Sequence, residues 1–457
     1  MIKGGITIKK VIGVLVGSCL IFLLWNPVGA TVHHVYPGPG TPIQDAIDAA
    51  SPGDTVVVHP GMYSEKITLS KDNLTLVSSG GPAVTIINFT GIWCGYWSTG
   101  NGGVDIPYGV QGVIVEGFTI LGGSPASDAL ISVGGDTTII RNNIVVGDPV
   151  SSGQDIGIHI GDVSQSSPHY PSSNQIIGNV IYNHTGAGIF IGNWAGTGNI
   201  VSGNVVHDNV VGGIPGLNGN GIEIDRALGV RIIENLVFDN QAAGIKVIRT
   251  APGAVIDIYR NTLSANDIGI HSERWRAGAT TSALVAATCN NIIKNSQFGI
   301  RNDEAVTITA ERNWWGHTSG PFHATLNTQG TGNRVSDFVD FIPWELVPDP
   351  CGPLISGTEN SQILRRQVCS LARYNVQEAE KMLESVQGLM GLLGTDENAL
   401  SDPYWEAQSL IAEAEALLEK ARLFCQNSQN CIAGNTLAVE ALELLEQANE
   451  LLEALLG

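Results

Sequence analysis

The sequence predicts a parallel β-solenoid followed by a small helical module, and three observations carry that prediction. A unit of Asn, two apolar residues, a polar turn and a Gly-Ile step recurs through the interior of the chain. Glycine reaches 56 of 457 residues, about 12% against a usual ~7%, with no Gly-X-Y period, so many turns separate short strands. After Pro348-Asp349-Pro350 and Gly352-Pro353 the composition turns to Leu, Ala and Glu. A formal charge of −20 from 23 basic and 43 acidic residues excludes a nucleic-acid backbone as partner. Hydrophobic content of 43% with 14% charged residues excludes a disordered chain.

At the N-terminus, Lys3, Lys9 and Lys10 precede an apolar run from Val11 to Trp25, and Pro27-Val28-Gly29-Ala30 offers a cleavage point after Ala30. Residues 1–30 are therefore expected to be a signal peptide, and the protein to be secreted or at the cell surface, extracellular or periplasmic. A membrane is a partner only if that segment stays uncleaved. Cys19 lies in it, which leaves Cys94, Cys289, Cys351, Cys369, Cys425 and Cys431 beyond residue 30. Outside the cytoplasm these are free to pair. Cys425 and Cys431 flank a polar turn between two apolar periodic segments and are the expected disulfide. No CxxC pair or zinc-like spacing occurs, so no metal site is expected.

The repeat appears as Asn179-Val180-Ile181 leading to Gly188-Ile189, Asn204-Val205-Val206 to Gly221-Ile222, and Asn235-Leu236-Val237 to Gly244-Ile245. With Asn143, Asn261, Asn291 and Asn313 the spacings are 36, 25, 31, 26, 30 and 22. A minimum near 22–25 with variable surplus fits one coil of short strands per unit, with loops added at corners. Strands stacked at ~4.8 Å satisfy their backbone groups from neighbouring coils. Alternate residues such as Ile189 and Ile191 then point inward. The recurrent Asn is expected to take a left-handed turn and to stack its amide in a ladder.

These repeats resemble those of right-handed parallel β-helix proteins of the pectate-lyase-like superfamily. The entry segment Thr41-Pro42-Ile43-Gln44-Asp45-Ala46-Ile47, with Pro52-Gly53-Asp54 and Pro60-Gly61-Met62-Tyr63, resembles their capping helix. Asn313-Trp314-Trp315-Gly316 and Phe341-Ile342-Pro343-Trp344 resemble their closing coil. The resemblance covers roughly 31–349 and implies an all-β right-handed parallel β-helix. It carries over no enzyme residue by residue, because lyases, hydrolases, epimerases, esterases and inert surface proteins share the scaffold. Motifs of pectin methylesterases, polygalacturonases and alginate epimerases are missing. The aspartate cluster that binds calcium in pectate lyases is not recognised, and calcium is the one cofactor left open.

Residues 350–358 read as a linker. From 354 onward 16 acidic and 6 basic residues hold half of the net charge. Apolar residues at helical spacing, such as Leu410, Ala414, Leu417, Leu418 and Ala421, predict three helices near 359–393, 402–426 and 431–456, a domain spanning 359–457. Ser401-Asp402-Pro403 starts the second of them.

The repeat also fixes which strand residues face outward. Two residues after each Gly stand His159, Phe190, Glu223, Lys246, His271 and Arg301. Four after it stand Gly161, Gly192, Asp225, Ile248, Glu273 and Asp303, and at the corner beyond come Arg226, Arg249 and Arg274. Glu223, Asp225, Lys246, His271 and Glu273 are the candidate catalytic groups. Two carboxylates suit glycosidic cleavage, and a base with a neutralising cation suits proton removal beside a uronate. Arg226, Arg249 and Arg274, with Trp275 as a stacking platform, are the candidate substrate-binding residues. The same charges also suit pairing across strands. The reading is an exported protein that binds a polysaccharide or surface glycan, with a helical module for attachment, assembly or binding of a protein partner. A polysaccharide-modifying enzyme (uronate lyase, epimerase or glycoside hydrolase) and a non-catalytic adhesive protein are the alternatives.

Overall fold

A computed structural model describes residues 30–90, 92, 102–122, 129–149, 155–161, 169–192, 194–211, 219–250, 253–273, 283–348, 376–377, 379–391, 393, 402–426 and 431–456. Among them, three parallel sheets of 12, 9 and 9 strands run along one axis, here sheets A, B and C in the order their first strands occur. Apart from the first and last pairs of sheet A, neighbours within each sheet are three strands apart in sequence, so each coil between them gives one strand to each sheet. The chain is a parallel β-solenoid, and every coil satisfies its backbone from the coils on either side.

Side-chain alternation builds the interior. In sheet C, Ile189 and Ile191 align with Ile222 and Ile224, then Ile245 and Val247, all of them buried. The N-terminal end is closed by helix α1 (Pro42–Ala49), whose Ile43 and Ile47 are fully buried in the solenoid core. Pro42 opens it, and the carboxylate of Glu65 accepts the backbone N–H groups of Ile43 and Gln44 at 3.0 and 2.9 Å. That carboxylate satisfies two of the donors an α-helix leaves open at its start. At the far end Trp315 is buried in the same core.

Two polar ladders run through the later coils of the solenoid. In the first, Nδ2 of Asn143, Asn179, Asn204, Asn235, Asn261 and Asn290 each donates to Oδ1 of the next, at 3.1, 3.0, 3.0, 2.9, 3.1 and 3.1 Å, ending on Asn313. The second links Asn209, Asn240, Asn266, Asn295 and Asn333 in the same way, at 2.7 to 3.1 Å. Two sequence expectations are corrected here. The sixth rung is Asn290, not Asn291. The left-handed residue is not the ladder Asn but the one before it: Asn142, Gly178, Gly203, Glu234, Arg260, Cys289 and Arg312. A rung needs its amide inside the core, and the preceding residue makes the turn that puts it there.

Towards the C-terminus, helical residues 379–391, here α2, precede α3 (Asp402–Gln426) and α4 (Cys431–Leu456). Ala407, Ala414, Leu418 and Ala421 of α3 share a core with Ala438, Ala441, Leu445, Ala448 and Leu452 of α4. Small residues at that spacing let two helices approach closely. The expected linker 350–358 lies outside the described residues, as do the side chains of Cys425 and Cys431. Cys289 is disulfide-bonded.

Candidate functional site

The outer face of sheet C brings the candidate ionisable residues together. One row runs Ser132, His159, Phe190, Glu223, Lys246, His271, Arg301, each in register with the next. The adjoining row aligns Gly192, Asp225, Ile248 and Glu273. Arg226 and Arg249 follow at the corner with positive φ, the left-handed step that turns the chain out of the strand. Arg274 and Trp275 lie outside the described residues.

The charges meet as unlike pairs. Both Arg226 and Arg249 converge on Asp225: Arg249 Nε donates to Oδ1 at 2.8 Å, with a second contact from its Nη2 to Oδ2, and Arg226 Nε stands 3.8 Å from Oδ1. Lys246 Nζ lies 2.5 Å from Glu273 Oε2. His271 Nε2 is 3.0 Å from Asp303 Oδ2, and Arg301 Nε donates to the other oxygen of that carboxylate at 2.9 Å.

Glu223 stands apart. It is buried, and Asn220 Nδ2 donates to its Oε2 at 2.8 Å, while Oε1 has no hydrogen-bond partner. Burial pushes its carboxyl up to about 7, with Lys246 and Asn220 pulling the other way. Asp225 is also raised by burial, against the pull of Arg249. Burial lowers His271, which Asp303 partly offsets. Two coils further up the row, His159 is buried without a partner for Nε2, and its ring is held neutral, with a pKa near 4. Along the row the cover thins: Glu223 is buried, the side chains of Lys246 and His271 are 10% and 13% exposed, and that of Arg301 is 39% exposed.

Asn220 is a site residue that sequence reasoning missed. Its Oδ1 accepts the backbone N–H of Ala243 at 3.0 Å, which fixes the amide and aims its NH2 at Glu223. The signal was present: the residue before each Gly reads Ile156, Ala187, Asn220, Ala243, Ile268 and Phe298, with one polar member.

Stacked coils, an internal amide ladder and a helix over the open end decide the fold. The chain is a parallel β-helix repeat protein. Residues 108–333 of this β-helix are similar to the family described as periplasmic copper-binding protein (NosD). No curated protein matches it. Among solved structures it is similar to pectate lyase Pel9A, with 13% identity over 63% of this chain and 80% of that one and a TM-score of 0.42. It is similar also to the catalytic unit of a GH87 alpha-1,3-glucanase from Streptomyces thermodiastaticus strain HF3-3, at 15% identity over 70% of each chain with a TM-score of 0.41. A third is PfbA, a surface adhesin of Streptococcus pneumoniae, at 14% identity over 69% of this chain and 90% of that one with a TM-score of 0.33. Copper prefers imidazole and sulfur donors in a compact set. Among the described residues no three His, Cys, Asp or Glu side chains group to hold a metal ion.

Proposed function

We propose that this is an exported β-helix protein that binds a polysaccharide or cell-surface glycan along the outer face of sheet C, with the helical C-terminal region serving attachment or assembly. The observation that carries the reading is the strip itself: on four successive coils, unlike charges pair in two rows whose cover thins from Glu223 to Arg301. Planar ion pairs such as Arg301–Asp303 present both donors and acceptors, which is what vicinal sugar hydroxyls require. Because Arg226 and Arg249 are both engaged by Asp225, the strip suits hydroxyl-rich chains better than a ladder of uronate carboxylates. The sequence signal at 1–30 and the similarity to a family described as periplasmic support a place outside the cytoplasm. No helix among the described residues is long and apolar enough to cross a membrane.

A second reading, modification of the bound chain, is favoured by Glu223: a carboxyl poised near neutrality, aimed by a pinned amide, is placed to give or take a proton. The two separate in one experiment. A glycan array, with reducing-end and unsaturated-uronate assays on each hit, is run on the native protein, Arg301→Ala with His271→Ala, and Glu223→Gln. Binding that survives in the double variant overturns the strip as the glycan site. Absence of turnover in the native protein overturns the enzymatic reading and leaves binding standing; turnover that survives in Glu223→Gln overturns Glu223 as the group that gives or takes the proton.

A further inference from the structure

The strand that opens the solenoid carries a feature unconnected with sheet C. Among the described residues, the strand Val32–Val35 is the end strand of sheet A and pairs with Thr55–Val58. Just before it, Thr31 N donates to Asp54 Oδ1 at 2.7 Å. On the same carboxylate, Oδ2 lies 3.0 Å from His33 Nε2 and accepts the backbone N–H of Ser51 at 2.8 Å. Asp54 is buried, so one fixed carboxylate draws the nitrogen of residue 31 and the ring of residue 33 to the same side. The ring is held by Nε2, which leaves Nδ1 without a hydrogen bond. His34 points the other way, its Nδ1 3.0 Å from His59 Nε2.

We propose that processing between Ala30 and Thr31 turns this strand into an amino-terminal Cu(II) or Ni(II) site. Its ligands are the Thr31 amine, the amide nitrogens of Val32 and His33, and His33 Nδ1. The inference rests on the export reading above. Water adds across the Ala30–Thr31 peptide, giving the Ala30 carboxylate and the Thr31 α-amine; a signal peptidase is the class of enzyme that catalyses it. A free amine two residues ahead of a histidine lets one metal close three fused chelate rings through nitrogens in a plane, the geometry Cu(II) and Ni(II) favour. Metal binding displaces protons from the amine and the two amides into solvent, with no change of oxidation state, so affinity falls as the pH is lowered.

Asp54 has the role a carboxylate commonly takes behind a metal-bound histidine: it accepts the Nε2 proton, fixes the tautomer with its lone pair on Nδ1, and orients the ring. Consecutive amides of an extended strand face opposite sides, so metal binding requires residues 31–33 to leave the ladder with Thr55–Val58, the strand's one pairing among the described residues. The stretch similar to the copper-binding family begins at 108, and the site stands apart from it.

The test uses the full chain exported by a bacterial host, with the N-terminus read by sequencing and the protein titrated first with Cu(II), then with Ni(II). Expected are a chain beginning at Thr31, one equivalent bound, the violet absorption and spin-resonance signature of a four-nitrogen Cu(II) plane, and a yellow diamagnetic Ni(II) form. His33→Ala and Val32→Pro should each abolish the violet form, the latter because proline has no amide hydrogen to give up. Asp54→Asn should keep the colour and weaken binding roughly tenfold to a hundredfold. His34→Ala should change nothing. A chain that begins elsewhere overturns the cleavage site and this inference together. A chain that begins at Thr31 yet forms no violet complex, or one that loses it in His34→Ala and keeps it in His33→Ala, overturns this inference alone.

Discussion

Two regions of the molecule bury polar side chains, and they do so in opposite ways. In the ladders one residue type repeats on every coil, and each rung both donates an amide hydrogen and accepts one: Asn235 takes Asn204 Nδ2 and Asn204 N on Oδ1, and gives Nδ2 to Asn261 and to Val201 O. In the row from Ser132 to Arg301 on the outer face of sheet C no residue type repeats on neighbouring coils, and Glu223 Oε1 and His159 Nε2 are buried there without a hydrogen-bond partner. Buried polar atoms that are repeated and satisfied hold a solenoid together. Buried polar atoms that are singular and left open are a cost to the fold, and such costs gather where a protein does chemistry.

The largest effect should come from the satisfied region. Asn235→Ala removes the acceptor of two Asn204 donors and leaves Val201 O without its side-chain donor, all in the dry core. A loss of about 4 kcal/mol in denaturant unfolding is expected. A loss below about 1 kcal/mol would mean that the ladder is ornamental and that strand stacking alone holds the coils.

The strip should be next. Arg249→Ala leaves Asp225 buried with Arg226 at 3.8 Å as its nearest cation, and a loss of about 3 kcal/mol is expected. Arg312→Ala, which breaks an exposed pair with Glu345, should cost less than about 1 kcal/mol in the same assay. Equal losses would erase the distinction between the strip and ordinary surface charge.

A third effect follows from protons. Glu223 titrates near 7 when folded and near 4.5 when unfolded, so between those values the folded state holds a proton that the unfolded state has released. Raising the pH through that window therefore removes stability. His159 titrates near 4 when folded and near 6.5 when unfolded, so there the unfolded state holds the extra proton and lowering the pH removes stability. Between about pH 4.5 and 6.5 the two slopes oppose each other in the native protein. Glu223→Gln should leave stability rising with pH across that window by about 2–3 kcal/mol, and His159→Gln should leave it falling by a similar amount. Urea midpoints measured every half unit of pH show both tilts; parallel profiles for the two variants would remove both groups from the account.

How much of this was legible in the sequence depends on what each feature is periodic in. The coil length, the inward Ile pairs and the outward rows of sheet C follow from a repeat and a two-residue alternation, and the rows read from the Gly-Ile steps are the rows observed. The turn residue was displaced by one because Asn142-Asn143 and Asn290-Asn291 each offer two asparagines to one rung. Backbone handedness decides between them, and it is not a pattern of hydrophobicity. Asn220 was missed because its row is otherwise apolar and was read as packing. The thinning cover from Glu223 to Arg301 could not be read at all, since the alternation of the strands is the same on all four coils.

The smallest expected effect is the most exacting test of that register. Asn290 and Asn291 are chemically identical neighbours, and the ladder uses one of them. Asn290 is fully buried; its Nδ2 donates to Asn313 Oδ1, Ile258 O and Thr288 O, and its Oδ1 accepts both nitrogens of Asn261. Asn291 begins the next strand, its side chain half-buried on the outer face near Thr262 Oγ1 at 3.4 Å, which is a weak contact. Asn290→Ala should match the loss of Asn235→Ala, while Asn291→Ala should shift stability by about 0.5 kcal/mol or less. Cys289, disulfide-bonded and left-handed just ahead of the rung, is unchanged in both variants, so the comparison isolates the side chain. Were the two costs reversed, Asn291 would be the rung, and the register assigned to this coil would shift by one.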